Sequence, residues 1–557
     1  MPARLVPALF SSMAEGYNGQ RFLQDIMAGV IVGIVALPLA IAFGIASGVN
    51  PEQGIITAIV GGIIISLLSG SQVQIGGPTG AFIVVVFAII SEHGYSGLAL
   101  ATLMAGVILV LMGMARLGAV IKFIPYPMTV GFTAGIAVII ATGQLKDFLG
   151  LAISTPAADF PHKILDYSRH LDSFNPQALV VGLVAITLLI GWPRLTRKVP
   201  GSMVAILVTT ALVHLVDLKV ATIGSQFGAV PAVFPTPRLP VIDWRQVPVL
   251  IPHALTIALL GAIESLLSAV VADGMTGTRH RSNMELVAQG VANLAAPLFG
   301  GIPVTGAIAR TATNIKNGAQ TPVAGVVHGV VLLFILLFFG RWATLIPMAT
   351  LAAVLLVVAY HMSEWRHFVR LLRSPRADIL VMLCTFGLTV FVDLTVAIEA
   401  GVVLSALLFM HRMSQATEVR NITRELHEDF EREDELAIAT REVPAGVEVF
   451  EIHGPFFFGA ANQFKDTLSI VKSRPRVLIL RMRHVPFLDA TAMRAMEDMV
   501  DRIRREGTAL ILSGVSPALR TALLQGELRA KLVEVAILPD IDASLVEARR
   551  ILAAGNG

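Results

Sequence analysis

Long apolar runs, separated by short polar or glycine-rich breaks, occupy positions 26–46, 54–69, 79–91, 97–115, 118–142, 177–192, 202–216, 250–275, 285–299, 304–315, 322–340, 343–360, 378–393 and 395–411. A helix that crosses lipid needs about 20 such residues. The pattern predicts a polytopic α-helical membrane protein of about fourteen segments, several too short for a full span. Beyond Met413 it changes: 447–452 alternates as a strand, 477–480 and 509–512 read as buried strands, and 491–505 has helical periodicity. Strands alternating with helices predict a small α/β domain. The expected organisation is a transmembrane domain over 1–412, a charged linker over 413–444 and the α/β domain over 445–557.

One phrase occurs twice. Gly76-Gly77-Pro78-Thr79-Gly80-Ala81 returns as Gly300-Gly301-Ile302-Pro303-Val304-Thr305-Gly306-Ala307, with two residues inserted. Gly and Pro break a spanning helix, and Thr just after Pro suits the first turn of a new one. The short runs that follow hold similar ranks in the two halves of the chain. This predicts two repeats of about seven segments; an odd number inverts the second repeat relative to the first. Paired broken helices near the midplane are a pointer to a transporter binding site.

Composition sharpens the picture. The chain has 557 residues, 55% hydrophobic and 15% charged, against about 25% charged in soluble proteins. The net charge of +3 is small for this length. Lys and Arg, which favour the cytoplasmic side, settle the orientation. Arg194, Arg197, Lys198, Arg279, Arg281, Lys316, Arg366, Arg370, Arg373, Arg376 and Arg412 fall on one side, with Arg341 the exception. The N-terminus and the C-terminal domain are expected inside, and the loops 143–176 and 217–249 outside. The start of the chain reads as the lead-in to the first span, with no cleaved signal peptide. A lone cysteine, Cys384, excludes an internal disulfide. His253, His328 and His361 stand isolated, without metal-ligand spacing, and no phosphate-binding loop suggests ATP drive. No cofactor, metal, nucleic-acid partner or enzymatic centre is expected.

The candidate chemistry is anion binding. Half-helices beginning at Thr79 and Thr305 would aim backbone N–H groups, carrying about +0.5 charge each, at a common point. The two hydroxyls could add donors. Arg310 is expected one to two turns into the second short helix, where an unpaired cation in lipid is costly and suits an anionic substrate. Glu264 is the lone acid in its run, a candidate proton carrier because desolvation penalises the charged form. Ser268, one turn on, is placed to hydrogen-bond it. A structural ion pair between Glu264 and Arg310 is the alternative. Asp273 reads as an interfacial anchor near Arg279.

The repeated break, the stretch Gly261-Ala262-Ile263-Glu264-Ser265-Leu266-Leu267-Ser268, the run Asp273-Gly274-Met275-Thr276-Gly277-Thr278-Arg279-His280 and residues 300–319 resemble the sulfate permease (SulP) family of anion transporters. The tail resembles its STAS domain. The nearest likeness is to bacterial proton-coupled dicarboxylate members. The resemblance implies a homodimer in the bacterial inner membrane, each protomer split into core and gate and moving its core by an elevator-like step. It implies substrate contacts at Phe43, Thr79, Gly80, Gly306, Ala307 and Arg310, with Glu264 as the coupling acid, and a cytoplasmic STAS domain open to a protein partner. Sodium-coupled bicarbonate members carry Asp in place of Glu264 and Thr in place of Ile308. Ile308 cannot ligate sodium through its side chain, which favours protons. Ala490 stands where antagonist STAS domains carry a phosphorylated Ser, although Thr491 follows. The expected function is proton-coupled dicarboxylate symport, with sulfate or bicarbonate transport, or an uncoupled exchanger or channel, as alternatives.

Overall fold

The computed structural model describes residues 5–14, 16–119, 125–153, 157, 159–195, 199–229, 231–240, 243–415, 418–421, 441–457, 475–524 and 528–554. Arg197, Lys198 and most of the acidic linker fall outside these residues. The chain divides into two compact units, Met1–Val403 and Leu404–Gly557. The boundary falls inside the helix Leu394–Gln415.

In the first unit the apolar runs become helices. Nine helical stretches among the described residues are long and apolar enough to cross a membrane: Gly19–Ala46, Pro51–Leu68, Phe82–Met114, Tyr126–Leu149, Pro176–Leu195, Val247–Thr276, Val323–Leu345, Met348–Leu371 and Leu394–Gln415. Gly201–Leu215, Ser282–Ala295, Ile308–Lys316 and Arg376–Phe391 are shorter. The runs at 79–91 and 97–115 merge into one element, Phe82–Met114, which bends at Gly94. That residue has a φ of 66°, a conformation few side chains tolerate.

The helices sort into two groups by their packing. Gly19–Ala46, Pro51–Leu68, Phe82–Met114, Val247–Thr276, Ser282–Ala295, Ile308–Lys316 and Val323–Phe339 pack mainly on one another. Tyr126–Leu149, Pro176–Leu195, Gly201–Leu215, Met348–Met362 and Arg376–Phe391 form the second group. Within lipid such association rests on close packing, so small residues mark the contacts. Gly29 and Gly33 lie directly against Val327 and Val331 of the facing helix.

Both breaks are built as predicted in position but differ in form. Gly76–Gly77 (β1) and Thr305–Gly306 (β2) are two-residue strands that pair antiparallel, Gly76 opposite Gly306 and Gly77 opposite Thr305. This pairing uses up residues that the sequence pattern assigns to helix. The first helix starts at Phe82, not Thr79, and the second at Ile308, not Thr305.

The second unit is a five-stranded sheet in the order β3 (Glu418–Asn421), β4 (Val447–His453), β5 (Val477–His484), β6 (Ala509–Ser513) and β7 (Ala536–Leu538). β3 pairs antiparallel and the rest are parallel. Strand alternation gives two cores, as period-2 geometry requires. Phe450, Ile452, Leu478 and Leu480 pack with the helices Ala490–Arg505 and Pro517–Leu523. Val447, Val449, Val477 and Ile479 pack with Ile541–Ala554.

Candidate functional site

Irregular backbone at membrane depth is tolerated only where other groups satisfy its N–H and C=O groups. Neighbouring helices supply that satisfaction here. Asn293 clamps Val304 from both ends: its Nδ2 donates to the Val304 carbonyl at 2.7 Å and its Oδ1 accepts the Val304 N–H at 3.0 Å. The Thr57 hydroxyl accepts the Ile302 N–H, Gln53 donates to the Gly300 carbonyl, and Tyr95 donates to the Gly301 carbonyl. On the first break, Ile75 N–H donates to Thr311 and Asn314 donates to the Val73 carbonyl. Ile75 in turn accepts the Ala307 N–H at 2.8 Å, which extends the β1–β2 pairing toward the second helix.

Arg310 sits in the first turn of Ile308–Lys316, closer to the helix start than expected, and is 2% exposed. Its Nη2 donates to the Pro78 carbonyl at 2.6 Å, reaching from the second break to the first. Its Nη1 is buried without a hydrogen-bond partner among the described residues. Gly77 makes room for it, since a Cβ on Gly77 would overlap Nη1. One residue beyond Pro78, the Thr79 hydroxyl donates to Glu264 Oε2 at 2.6 Å. No ion pair joins Glu264 to Arg310 among the described residues; the dipeptide Pro78-Thr79 lies between them.

Several expectations need correcting. The Thr79 hydroxyl is engaged with Glu264, and the Thr305 hydroxyl donates to the Gly261 carbonyl at 2.9 Å, so both face the Glu264 helix. Neither caps a helix, because the strand pairing delays each helix start by three residues. Ser268 donates to Thr311 at 3.2 Å rather than to Glu264. Asp273, near the end of its helix, meets His280 at 2.7 Å. Gly80, Gly306 and Ala307 all lie buried in the two breaks. A side chain at Gly306 would overlap Gln74, and one at Gly80 would press on Met362 Sδ at 2.7 Å. Phe43 is buried near the end of Gly19–Ala46, a helix that packs on Ile308–Lys316.

The helix starts retain their donors. The amides of Gly80 and Ala81 in one break, and of Ile308, Ala309 and Arg310 in the other, have no backbone partner among the described residues. Two sets of N–H groups and a guanidinium thus share one locus, an arrangement that attracts negative charge. A cavity of about 950 Å³ runs between the two helix groups and includes Ile83 and Ile140 in its lining. It therefore comes within one helical turn of Gly80.

The sequence pattern missed Glu285. It is fully buried, yet the run at 285–299 reads as apolar. Its carboxylate accepts the hydroxyls of Ser69 and Ser265, the Gly70 N–H and the Gln289 amide. Gln74, which borders Gly306, donates to Ser265 at 3.1 Å. Glu285 thereby holds the face of the Glu264 helix that meets the second break. Its position one turn from Arg281, in a stretch with Asn283, Gln289 and Asn293, is the available sequence signal.

Two broken helices paired at their breaks, in a helical membrane unit joined to a small α/β domain, define a multi-pass anion transporter. Residues 22–385 match the sulfate permease family and residues 439–548 match the STAS domain. The chain belongs to the sulfate permease family. It is 45% identical over 509 residues to YvdB of Bacillus subtilis (strain 168), provisionally named a sulfate transporter, covering 91% of this chain and 94% of that one. It is 30% identical over 517 residues to the bicarbonate transporter BicA of Picosynechococcus sp. (strain ATCC 27264 / PCC 7002 / PR-6), covering 90% of each. The transmembrane domain of a cyanobacterial BicA superposes with a TM-score of 0.62 at 29% identity, over 69% of this chain and 98% of that one. Murine Slc26a9, described as inward-facing, superposes with a TM-score of 0.87 at 18% identity, over 98% of this chain and 94% of that one, a likeness of fold.

Proposed function

We propose that this protein carries a small inorganic oxyanion, sulfate or bicarbonate, into a bacterial cell through the plasma membrane. The observation that carries the reading is Arg310: a buried guanidinium with one nitrogen on the opposite break and the other without a partner. YvdB is provisionally named a sulfate transporter and BicA is named a bicarbonate transporter, and these names give no support to the dicarboxylate expectation. The anion would bind at the amides of residues 80–81 and 308–310 together with Arg310, and Gly306 and Ala307 would let it approach the backbone.

Coupling would run through Glu264. Protonation removes one buried negative charge, which offsets the single charge of bicarbonate or one of the two on sulfate. The side chain of Ile308, 39% exposed, offers no oxygen to a cation, which favours protons over sodium. In this reading the second helix group is the gate, the first is a core that moves as a unit, and the protein works as a homodimer. The N-terminus and the STAS domain face the cytoplasm, where the latter meets a protein partner. The test is uptake of labelled sulfate, bicarbonate and fumarate into proteoliposomes with and without a pH gradient. Sulfate or bicarbonate uptake driven by an acidic exterior supports the reading. Uptake of fumarate alone, or steady anion currents indifferent to the gradient, would overturn it.

A further inference from the structure

At His253, which lines the same cavity, two histidines distant in sequence come together. His93 ends the first leg of Phe82–Met114, directly before the bend at Gly94. His253 lies in the second turn of Val247–Thr276, three turns before Glu264 on the same helix. Their ring centroids are 5.8 Å apart with planes inclined by 64°. Glu92 Oε2 lies 3.8 Å from His93 Nε2. One donor atom from each of Glu92, His93 and His253 falls within 4.8 Å of the other two. His253 is half-buried, and its imidazole makes no hydrogen bond among the described residues. Gly97, whose missing side chain would strike the His93 Cβ, leaves room for that imidazole.

We infer that Glu92, His93 and His253 form a site for a divalent transition metal, Zn²⁺ foremost, whose occupation slows transport. Two imidazoles and a carboxylate are a borderline donor set that suits zinc, with a fourth position left to water. Tetrahedral zinc with bonds of 2.0–2.1 Å spaces its donors about 3.4 Å apart, so closure needs side-chain shifts on the order of 1 Å. The bend at Gly94 places two donors on one helix end and the third on the neighbouring helix. A bound ion would tie the outer end of the first broken helix to the helix that carries Glu264. Glu92, Pro252 and His253 line the cavity, so the tie falls on its wall. A second cluster, Glu451, His453 and His484 in the α/β unit, is a poor cation site. Glu451 there takes Arg483 at 2.8 Å and lies 3.6 Å from Arg481, and two guanidiniums repel a metal.

The slowing of uptake rests on the transport reading above, whereas metal binding does not, and the two are read separately. Purified full-length protein, free of any histidine tag, is titrated with Zn²⁺ by calorimetry and with Co²⁺ by visible absorption. One Zn²⁺ per chain at micromolar affinity or tighter is expected, with the absorption bands of tetrahedral Co²⁺. His93→Gln and His253→Gln should each weaken binding at least tenfold, and Zn²⁺ should slow uptake in a manner that EDTA reverses and the double variant abolishes. Absence of wild-type binding, or equal binding by the double variant, overturns the site. Wild-type uptake that saturating Zn²⁺ leaves unchanged overturns its effect on transport. Glu92→Gln, at an exposed residue, is the further variant should a histidine variant fail to fold: it should weaken Zn²⁺ and Co²⁺ binding, and unchanged binding overturns the site, whereas His453→Gln in the second cluster should leave binding unchanged.

Discussion

Replacing Gly77 by Ala tests the geometry of the site without touching a charged group. The new Cβ would overlap Arg310 Nη1 and approach Cζ at 3.3 Å, while the next neighbour, Ala58 Cα, stays at 3.6 Å. The guanidinium is the group that must yield, since Ala58 at that distance is in ordinary contact; the φ of 156° at Gly77 adds backbone strain, which is read separately as a lower thermal midpoint. As it moves, Nη2 loses the Pro78 carbonyl at 2.6 Å. A hydrogen bond from a charged group is worth about 1.5–3 kcal/mol. The half-saturating anion concentration in proteoliposome uptake should therefore rise about 10- to 150-fold, taking about 1.4 kcal/mol per tenfold. Gly261→Ala is the control: its Cβ would find nothing closer than 3.5 Å. It should transport like wild type. A Gly77→Ala protein whose half-saturation lies within about threefold of wild type, under about 0.7 kcal/mol, would refute the placement of Arg310 in the substrate's path.

Three further outcomes are expected. Glu264→Gln keeps anion exchange but loses accumulation along a pH gradient, which for one coupled proton is about tenfold per pH unit; retained accumulation would remove Glu264 from the coupling role. Asn293→Ala strips both partners from Val304 and should cost about 2–4 kcal/mol, read as a lower thermal midpoint of the detergent-purified protein; an unchanged midpoint counts against the clamp. In the α/β unit, burial pushes the Glu451 carboxyl up, but the Arg481 and Arg483 guanidiniums and a hydrogen bond from His453 outweigh it and hold it below the usual carboxylate range. A lowered folded pKa gives stability that is fully present above the unfolded value and is lost as pH falls through the folded one. The hydrogen-exchange protection of 447–453 in the full-length protein, taken relative to the intrinsic amide rate at each pH, should fall below about pH 4 in wild type, and already at neutral pH in Glu451→Ala, since breaking a buried pair costs about 3–5 kcal/mol.

The positions of the helices were legible because each apolar run is bounded by Gly, Pro or charge, and lipid leaves the backbone few choices. The repeated phrase located both breaks for the same reason. What it could not convey was their pairing. Two residues of strand at Gly76–Gly77 and Thr305–Gly306 pull Thr79 and Thr305 out of the helices and turn their hydroxyls onto the Glu264 helix. Periodicity describes one helix at a time, so it put Ser268 under Glu264, whereas the contact that forms is with Thr311 on another helix. Glu285 was hidden by its apolar neighbours, since its partners Ser69, Gly70 and Ser265 come from two other segments. His253 looked isolated because only the packing of Phe82–Met114 on Val247–Thr276 brings His93 to it.

The most direct measurement is equilibrium binding of labelled sulfate, with bicarbonate as competitor, to the purified full-length protein and its Arg310→Ala variant. Loss of the guanidinium from a site closed to water should weaken sulfate at least about 100-fold, the loss of about 3 kcal/mol expected for a buried charged hydrogen bond. A correctly folded Arg310→Ala protein that binds sulfate as tightly as wild type would contradict the account.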